Sequence, residues 1–436
     1  MSGLEIGFLS IVVILILIYT GMHVPVAFCL VSLVGVWAIK GNFEQAAKLV
    51  ALAASDSISS YDFGVIPLFV LMGMLVSIAD LGRDAFLAAN ALLGRVKGGL
   101  GVATVAANTV FAAVTGVSIA SAAVFTKIAV PEMIRLGYQP RFAVGVVAGS
   151  SVLGMLIPPS LLLIIYGLLA EQSIGDLFIA GIVPGLVLAA AFSVQIVLIA
   201  IFAPTKVYAT QGRHDAPAEL GIGGALLKLA PLATLAGLVI GGIYAGWFTA
   251  TESGAVGAVG GLMLALWRRK LSLAGFWRVL TETGQVTVSI LFVIIAANIY
   301  SRLIALSGMS GALDQWVTHA NLSFLAVLLI YAIVVVLMGC MLDGVSIMLI
   351  MVPMFLPLVK PYGVDLIWFG IVTVVAVEIG LLTPPFGLSV FVIKSTLNDD
   401  RLSLHDIFMG ALPFAVTMFL VLLLIIAFPK IATVLI

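Results

Sequence analysis

Runs of about twenty consecutive apolar residues return along the whole length of this sequence, and they restrict its fold more than any other feature. At 1.5 Å of rise per residue, a helical run of that length crosses the ~30 Å of hydrocarbon in a bilayer. Amides inside lipid have no water to bond, so a spanning segment must satisfy its backbone internally, as a helix or within a closed barrel. The runs are continuous and do not alternate at every second residue, which predicts helices. With 63% of the 436 residues apolar and only 9% charged, no soluble domain is expected beside them; an ordinary soluble domain is about 25% charged. The expected class is an all-α integral membrane protein with many crossings, and the lipid bilayer is its first partner. Lysine and arginine balance aspartate and glutamate at 20 each, without a basic cluster, so no nucleic-acid partner is expected. Cys29 and Cys340 sit inside apolar runs without disulfide or metal spacing. The first ten residues, MSGLEIGFLS, carry no lysine or arginine, and no small-residue cleavage site follows, so the first helix is expected to remain.

Taken in order, residues 4–20 and 22–39 read as two spans parted at Thr20 and Gly21. Residues 40–62, with Asp56, Ser57, Ser59, Ser60 and Asp62, read as an interfacial stretch, and 64–82 as a third span. RDAFLAANALLGRVK, 83–97, has helical spacing between charged ends and predicts an arm lying along the membrane surface. Residues 98–131 are rich in glycine and alanine and are interrupted at Thr115, Gly116, Val117 and Ser118. Their two halves suit a hairpin that enters and leaves on one side. Residues 142–168 form a span broken by GMLIPPS, where Pro158 and Pro159 remove two donors and clash with the preceding turn. A span at 177–203 then leads into a polar loop.

Three landmarks recur at nearly one offset. Ile-Tyr-x-Gly at 18–21 returns at 243–246, Gly-Val-Ser-Ile at 116–119 returns at 344–347, and Gly-x-Leu-x-Pro-Pro at 154–159 returns at 380–385. The expected organisation is a first repeat over 1–203, a cytoplasmic linker over 204–225 and a second repeat over 226–436. Five crossings plus a re-entrant hairpin and a broken helix in each repeat make the second repeat inverted. With the N-terminus outside, Lys40, Lys48, Arg302, Lys360 and Lys430 face out and the other 15 of the 20 lysines and arginines, Arg213 and Arg401 among them, face the cytoplasm. That bias is the one the positive-inside rule requires.

The interruptions carry the chemistry. An acid at the centre of hydrocarbon costs roughly 2.5 to 3.5 kcal/mol on insertion scales unless it faces a partner, a cavity or an ion, so Asp343 in MLDGVSIML marks a candidate site. In inverted-repeat transporters, half-helix N-termini attract anions and freed carbonyls coordinate sodium or protons. The expected sodium set is Thr115, Gly116, Val117, Ser118, Asp343, Gly344, Val345, Ser346, Glu378 and Thr383, because hard oxygens suit a hard cation. The expected substrate set is Ser150, Ser151, Pro158, Pro159, Ser160, Pro384, Pro385 and Arg302. Plainer roles compete with these: close helix packing for the glycines and serines, kinks for the prolines, structural ion pairs for the acids, and snorkelling to the interface for Arg302. The four histidines, at 23, 214, 319 and 405, are scattered, and no organic cofactor is expected. An intramembrane hydrolase would need Asp343 and Glu378 as its pair, but no nucleophile, metal set or Gly-x-Gly-Asp accompanies them, so an enzyme is not expected. A passive channel is the other alternative.

Ile66-Pro67-Leu68-Phe69-Val70-Leu71-Met72-Gly73, the paired Gly-Val-Ser segments, Gly-x-Leu-Ile-Pro-Pro-Ser at 154–160 and Gly-x-Leu-Thr-Pro-Pro at 380–385 together resemble the large membrane subunit of tripartite ATP-independent periplasmic (TRAP) transporters. The resemblance covers essentially the whole chain. It implies an elevator-type secondary transporter of a bacterial inner membrane, with a scaffold and a moving transport domain, driven by a sodium gradient. It also implies a small four-helix membrane subunit and a periplasmic solute-binding protein that delivers an organic acid anion, such as a C4-dicarboxylate or a sialic acid. Carried over, the family's sodium sites fall on Ser118 with the Gly116 and Val117 backbone, and on Asp343, Gly344 and Ser346; its transport-domain arginine is matched by Arg302. Some members fuse the two membrane subunits. Without additional N-terminal spans, this chain is expected to use a separate small subunit. A stand-alone anion symporter of similar topology is the alternative that needs no binding protein.

Overall fold

The structure is a computed structural model that describes residues 1–58, 61–209, 220–320, 322–397 and 402–436. Ser59 and Ser60 of the interfacial stretch, residues 210–219 of the linker with Arg213 and His214, and Arg401 lie outside the described residues, as does the side chain of Asp62. Among the described residues the chain is helical, apart from two short 3-10 turns and an isolated bridge between Tyr138 and Tyr208.

The first helices begin and end where their capping residues stand. Helix α1 (Gly3–Tyr19) starts from a capping box in which Ser2 Oγ accepts the Glu5 amide at 3.3 Å and the Glu5 carboxylate accepts the Ser2 amide at 2.9 Å. Helix α2 (Val24–Lys40) has proline in its first turn and ends on Gly41 in the left-handed conformation. The interfacial stretch is itself helical, α3 (Phe43–Ile58). Helix α4 (Val65–Ile78) turns by 65° into α5 (Leu81–Leu93). The arm expected from 83 onward therefore starts earlier and is more than a surface brace, since it buries Asp84.

Helices α6 (Gly99–Thr115) and α7 (Ser118–Arg135) form the first hairpin. The amide of Leu100 at the start of α6 donates to the Tyr138 phenol just past the end of α7 at 3.4 Å, and Phe111 and Phe125 stack edge to face nearer the tip. The two helices thus run back on each other. Each is about 25 Å long at 1.5 Å per residue, short of a full hydrocarbon crossing. The broken span follows as α8 (Pro140–Ser151), α9 (Leu153–Leu156) and α10 (Leu161–Ala170), then the 29-residue α11 (Ile174–Phe202) and a single turn, α12 (Pro204–Val207).

The second half has a corresponding order. Helix α13 (Ile222–Tyr244) already begins inside the expected linker, and α14 (Ala250–Trp267) follows. Helix α15 (Leu273–Ser307) runs unbroken for 35 residues where the first half has α3 and α4 parted, and α16 (Met309–His319) takes the place of α5. The second hairpin is α17 (Phe324–Gly339) and α18 (Gly344–Val359); ring contacts join Phe324 to Tyr362 and Tyr331 to Phe355, so it too doubles back. Its broken partner is α19 (Leu366–Leu382) and α20 (Leu388–Leu397), followed by α21 (Leu404–Ala427) and the short α22 (Lys430–Thr433).

Burial separates an interior from a shell. The broken span over Pro140–Ala170 is 83% buried within the protein, whereas α11 is 33% and α13 22% buried in their most apolar stretches. Every residue from Trp368 to Leu382 of α19 is buried, as expected of a helix that is apolar all round. The outward faces of α11 and α13 carry Leu186, Val194, Leu198, Leu226, Leu227 and Leu238, an apolar surface suited to lipid. Helix α17 comes closest to the interior at Gly339, where an added methyl would lie 2.7 Å from the Gly380 Cα of α19. Only the absence of both side chains lets these backbones meet.

Candidate functional site

The first hairpin turns at Gly116 and Val117 because Gly116 takes a left-handed φ of 66° and Val117 is extended, which ends one helix and starts the next. A Cβ on Gly116 would sit 2.5 Å from the Pro159 carbonyl oxygen. The tip is thus pressed against the break of its own half, and the Leu161 amide donates to the Gly116 carbonyl at 3.1 Å across that contact. Ser160 caps α10 by accepting the Leu163 amide at 3.3 Å, and its hydroxyl donates to the Met155 carbonyl. Ile66, Phe69 and Val70 of α4 cover the junction and leave a void of about 10 Å³ beside Thr115, Gly116, Val117 and Ser160. A void of that size holds about one water.

The second tip is made differently. Asp343 is the N-cap of α18: its carboxylate accepts the Ser346 amide at 3.1 Å and also the Ser346 hydroxyl. The acid is half-buried and already supplied with donors, so it does not stand alone in hydrocarbon. As in the first half, the tip bonds to its own break, through the Phe386 amide and the Cys340 carbonyl at 3.1 Å. Yet Pro384, Pro385 and Phe386 are exposed, while residues 157–160 are all buried.

Helix α19 joins the two tips. Ser118 Oγ, at the start of α7, donates to Glu378 Oε1 at 3.2 Å. One residue earlier on α19, Val377 lies against the second tip; a Cβ on Gly344 would be 3.0 Å from Val377 Cγ1 and 3.3 Å from Leu162 of α10. Both tips and the first break therefore meet around a single turn of α19, and the second break follows at the end of that helix. Glu378 is fully buried, and its Oε2 has no hydrogen-bond partner among the described residues. Such an orphaned carboxylate oxygen is costly to bury. The carboxylate and the Ser118 hydroxyl beside it are hard oxygen donors, the ligand type that hard cations take.

Arg302 lies elsewhere. It lines a cavity of about 940 Å³ bounded by the end of α3, the start of α14, the C-terminal part of α15 and the turn between α10 and α11. Its guanidinium donates to Asp56 at 2.6 Å. One turn earlier, Asn298 donates to Ser57 at 2.9 Å.

The sequence profile described as "Tripartite ATP-independent periplasmic transporter, DctM component" matches residues 11–431. This chain belongs to that family. It is 33% identical over 388 residues to the C4-dicarboxylate TRAP transporter large permease protein DctM of Pseudomonas aeruginosa, with 88% of each chain covered. The sialic acid TRAP transporter large permease protein SiaM of Vibrio cholerae is 29% identical over 416 residues, 95% of this chain and 94% of that one. In fold, the chain is similar to the YdaH transporter of Alcanivorax borkumensis, at a TM-score of 0.59 and 14% identity over 89% and 90% of the two chains. This DctM-family chain is a multi-pass transporter permease subunit, not an enzyme.

Of the residues singled out in this TRAP permease, Thr115, Gly116, Val117, Ser118, Pro159, Ser160, Gly344 and Glu378 come together at the meeting of the tips and the first break. Asp343 and Ser346 face each other at the second tip, and Val345 beside them is half-buried. Thr115 and Thr383 turn their hydroxyls back to the carbonyls of Phe111 and Ile379 in their own helices. Pro158 is buried against Gly181 of α11. Ser150 accepts from Asn108 at 2.6 Å and Ser151 donates to the Ala148 carbonyl at 2.8 Å, so both are tied into the wall around α8. Asp84 escaped the sequence reading. It pairs with Lys228 at 2.6 Å and with Arg268, clamping α5 to α13 and α14. Its helical position between apolar neighbours was a signal of burial that the charged ends of the segment obscured.

Proposed function

We propose that this TRAP permease couples the entry of an organic acid anion, a C4-dicarboxylate or a sialic-acid-like carboxylate, to a sodium gradient, and that it does so by an elevator movement. The single observation that carries this reading is the Ser118–Glu378 contact with its orphaned carboxylate oxygen, at the turn of α19 where both hairpin tips and the first break meet. Sodium is the cation whose coordination suits hydroxyl, carbonyl and single-carboxylate donors. Its charge offsets that of Glu378, so an anion binds the loaded site with the better affinity, and the coupling is reciprocal. The two repeats, 1–203 and 226–436 joined by 204–225, lie inverted in a bacterial inner membrane with the N-terminus in the periplasm. The two hairpins and two broken helices move as one block against the remaining helices. A small four-helix membrane subunit braces this scaffold, and a periplasmic binding protein supplies the anion. The large permeases of Pseudomonas aeruginosa and Vibrio cholerae support the substrate classes by their names.

The test is reconstitution of the permease with its small subunit and loaded binding protein in sealed vesicles. Uptake of radiolabelled succinate or sialic acid is expected only with an inward sodium gradient and only with all three proteins. Equal uptake in potassium, or uptake of free anion without the binding protein, contradicts the proposal.

A further inference from the structure

Asp84 holds two cations, and one carboxylate balances only one of them. Its Oδ1 accepts from Lys228 Nζ at 2.6 Å and its Oδ2 accepts from Arg268 Nη1, so both oxygens are occupied and the trio keeps a net positive charge. Among the described residues neither cation has another acceptor, and most of the N–H groups on the guanidinium and the ammonium remain unused. The Asp84 side chain is 10% exposed, Arg268 23% and Lys228 34%, so the unused donors open at the surface above a nearly sealed carboxylate. That surface lies where spans begin and end. Lys228 is in the second turn of the apolar α13, while Arg268, Arg269 and Lys270 open the turn between α14 and α15. Leu227, next to Lys228 in the chain, and Met263 and Trp267, near the end of α14, are exposed. Glu252, the other acid on α5, α13 and α14, caps the far end of α14 and leaves the excess charge unmatched.

We propose that Lys228 and Arg268 form a binding site for the headgroup phosphate of an anionic phospholipid, whose acyl chains lie along the exposed apolar side chains of α13 and α14. The phosphate oxygens take the N–H groups that Asp84 leaves over, in charge-assisted bonds, and the phosphate charge offsets the excess. A tryptophan at the boundary and apolar surface beside the basic pair favour a lipid over a soluble anion, because the chains add contact that a free phosphate lacks. Arg269 and Lys270 strengthen the attraction to an anionic leaflet without entering the trio. The same two cations clamp the arm α5 to α13 and α14, so a lipid bound there tightens that joint. The inference concerns the lipid-facing side of the permease and is independent of ion coupling at Glu378.

The experiment follows the thermal transition of the full-length permease, stripped of lipid in an uncharged detergent at constant sodium, as phosphatidylglycerol or phosphatidylcholine with the same acyl chains is added. Phosphatidylglycerol is expected to raise the transition at a several-fold lower mole fraction than phosphatidylcholine, and glycerol phosphate at equal concentration is expected to have no effect. Lys228→Gln leaves Asp84 and Arg268 as a neutral pair. It is expected to keep the lipid-free transition and to weaken the phosphatidylglycerol response about fivefold, the worth of one cation at an anionic surface, while Lys228→Arg restores it. If Lys228→Gln yields little folded protein, Asp84→Asn decides: with the competing carboxylate gone, phosphatidylglycerol acts at a lower mole fraction than in wild type. Equal responses to the two lipids, an unaltered response in Lys228→Gln or a weaker one in Asp84→Asn overturns the inference. A glycerol phosphate effect equal to that of phosphatidylglycerol assigns the site to a soluble anion, and loss of the lipid response on co-purification with the small membrane subunit assigns the face to that protein; either result also overturns it.

Discussion

The two hairpin tips share the tetrapeptide Gly-Val-Ser-Ile, but they are held in different ways. The first is fixed by backbone: Gly116 is left-handed, its carbonyl takes the Leu161 amide, and α4 covers the break at residues 157–160. The second is fixed by a side chain, the Asp343 cap, and its break at Pro384–Pro385 is uncovered. A glycine turn under a lid of large side chains has one geometry. A capped helix start beside an open break can shift at lower cost, since its hydrogen bonds are partly shared with solvent. On the proposed reading, the first half is the preformed side of the ion cage and the second half is the side through which it fills.

The largest expected effect separates the two glycines. Gly116→Ala forces an L-residue into a left-handed conformation, at roughly 1–2 kcal/mol, and drives a methyl to 2.5 Å from the Pro159 oxygen. A total loss above about 2 kcal/mol is expected, seen as a much lower thermal transition and poor yield. Gly344→Ala keeps a helical backbone and meets the movable side chains of Val377 and Leu162, so about 1 kcal/mol is expected. Equal losses at the two glycines would erase the contrast.

Accessibility gives the next contrast. In a background with Cys29 and Cys340 replaced by alanine, a cysteine at Phe386, 47% exposed, should react with a small thiol reagent far faster than one at Ile157, 6% exposed. Sodium should slow the reaction at 386 and leave 157 unchanged. A fast reaction at 157 would mean that the first break is open as well.

The smallest effect sharpens the role of Asp343. Asp343→Asn retains the cap on the Ser346 amide, while Asp343→Ala loses it at about 1 kcal/mol. If the carboxylate charge matters to the ion, Asn keeps stability but weakens sodium dependence. If the residue is a cap alone, Asn behaves as wild type in both measurements.

Much of this architecture is legible in the chain. The apolar runs set the class, and the repeated landmarks foretell two hairpins and two Pro-Pro breaks, because turn glycines and paired prolines act locally. Helix α3 is readable too, in the alanine-rich run of residues 46–54, although Asp56 and Ser57 near its end read as an interfacial polar stretch. What no local pattern gives is pairing across the chain. Ser118 meets Glu378 at a separation of 260 residues, and Arg302 meets Asp56 at 246. The unequal covering of the two breaks is equally hidden, for it depends on α4 lying over one of two nearly identical motifs.

The central claim, that the turn of α19 bearing Glu378 completes a sodium site with the first tip, is tested most directly by equilibrium binding of radiolabelled sodium to the purified permease. Wild type is expected to bind it saturably, with displacement by unlabelled sodium and not by potassium, and Glu378→Gln and Ser118→Ala should each weaken binding about tenfold or more, equivalent to roughly 1.4 kcal/mol. Sodium binding with unchanged affinity in Glu378→Gln, at normal yield and thermal stability, would contradict the account.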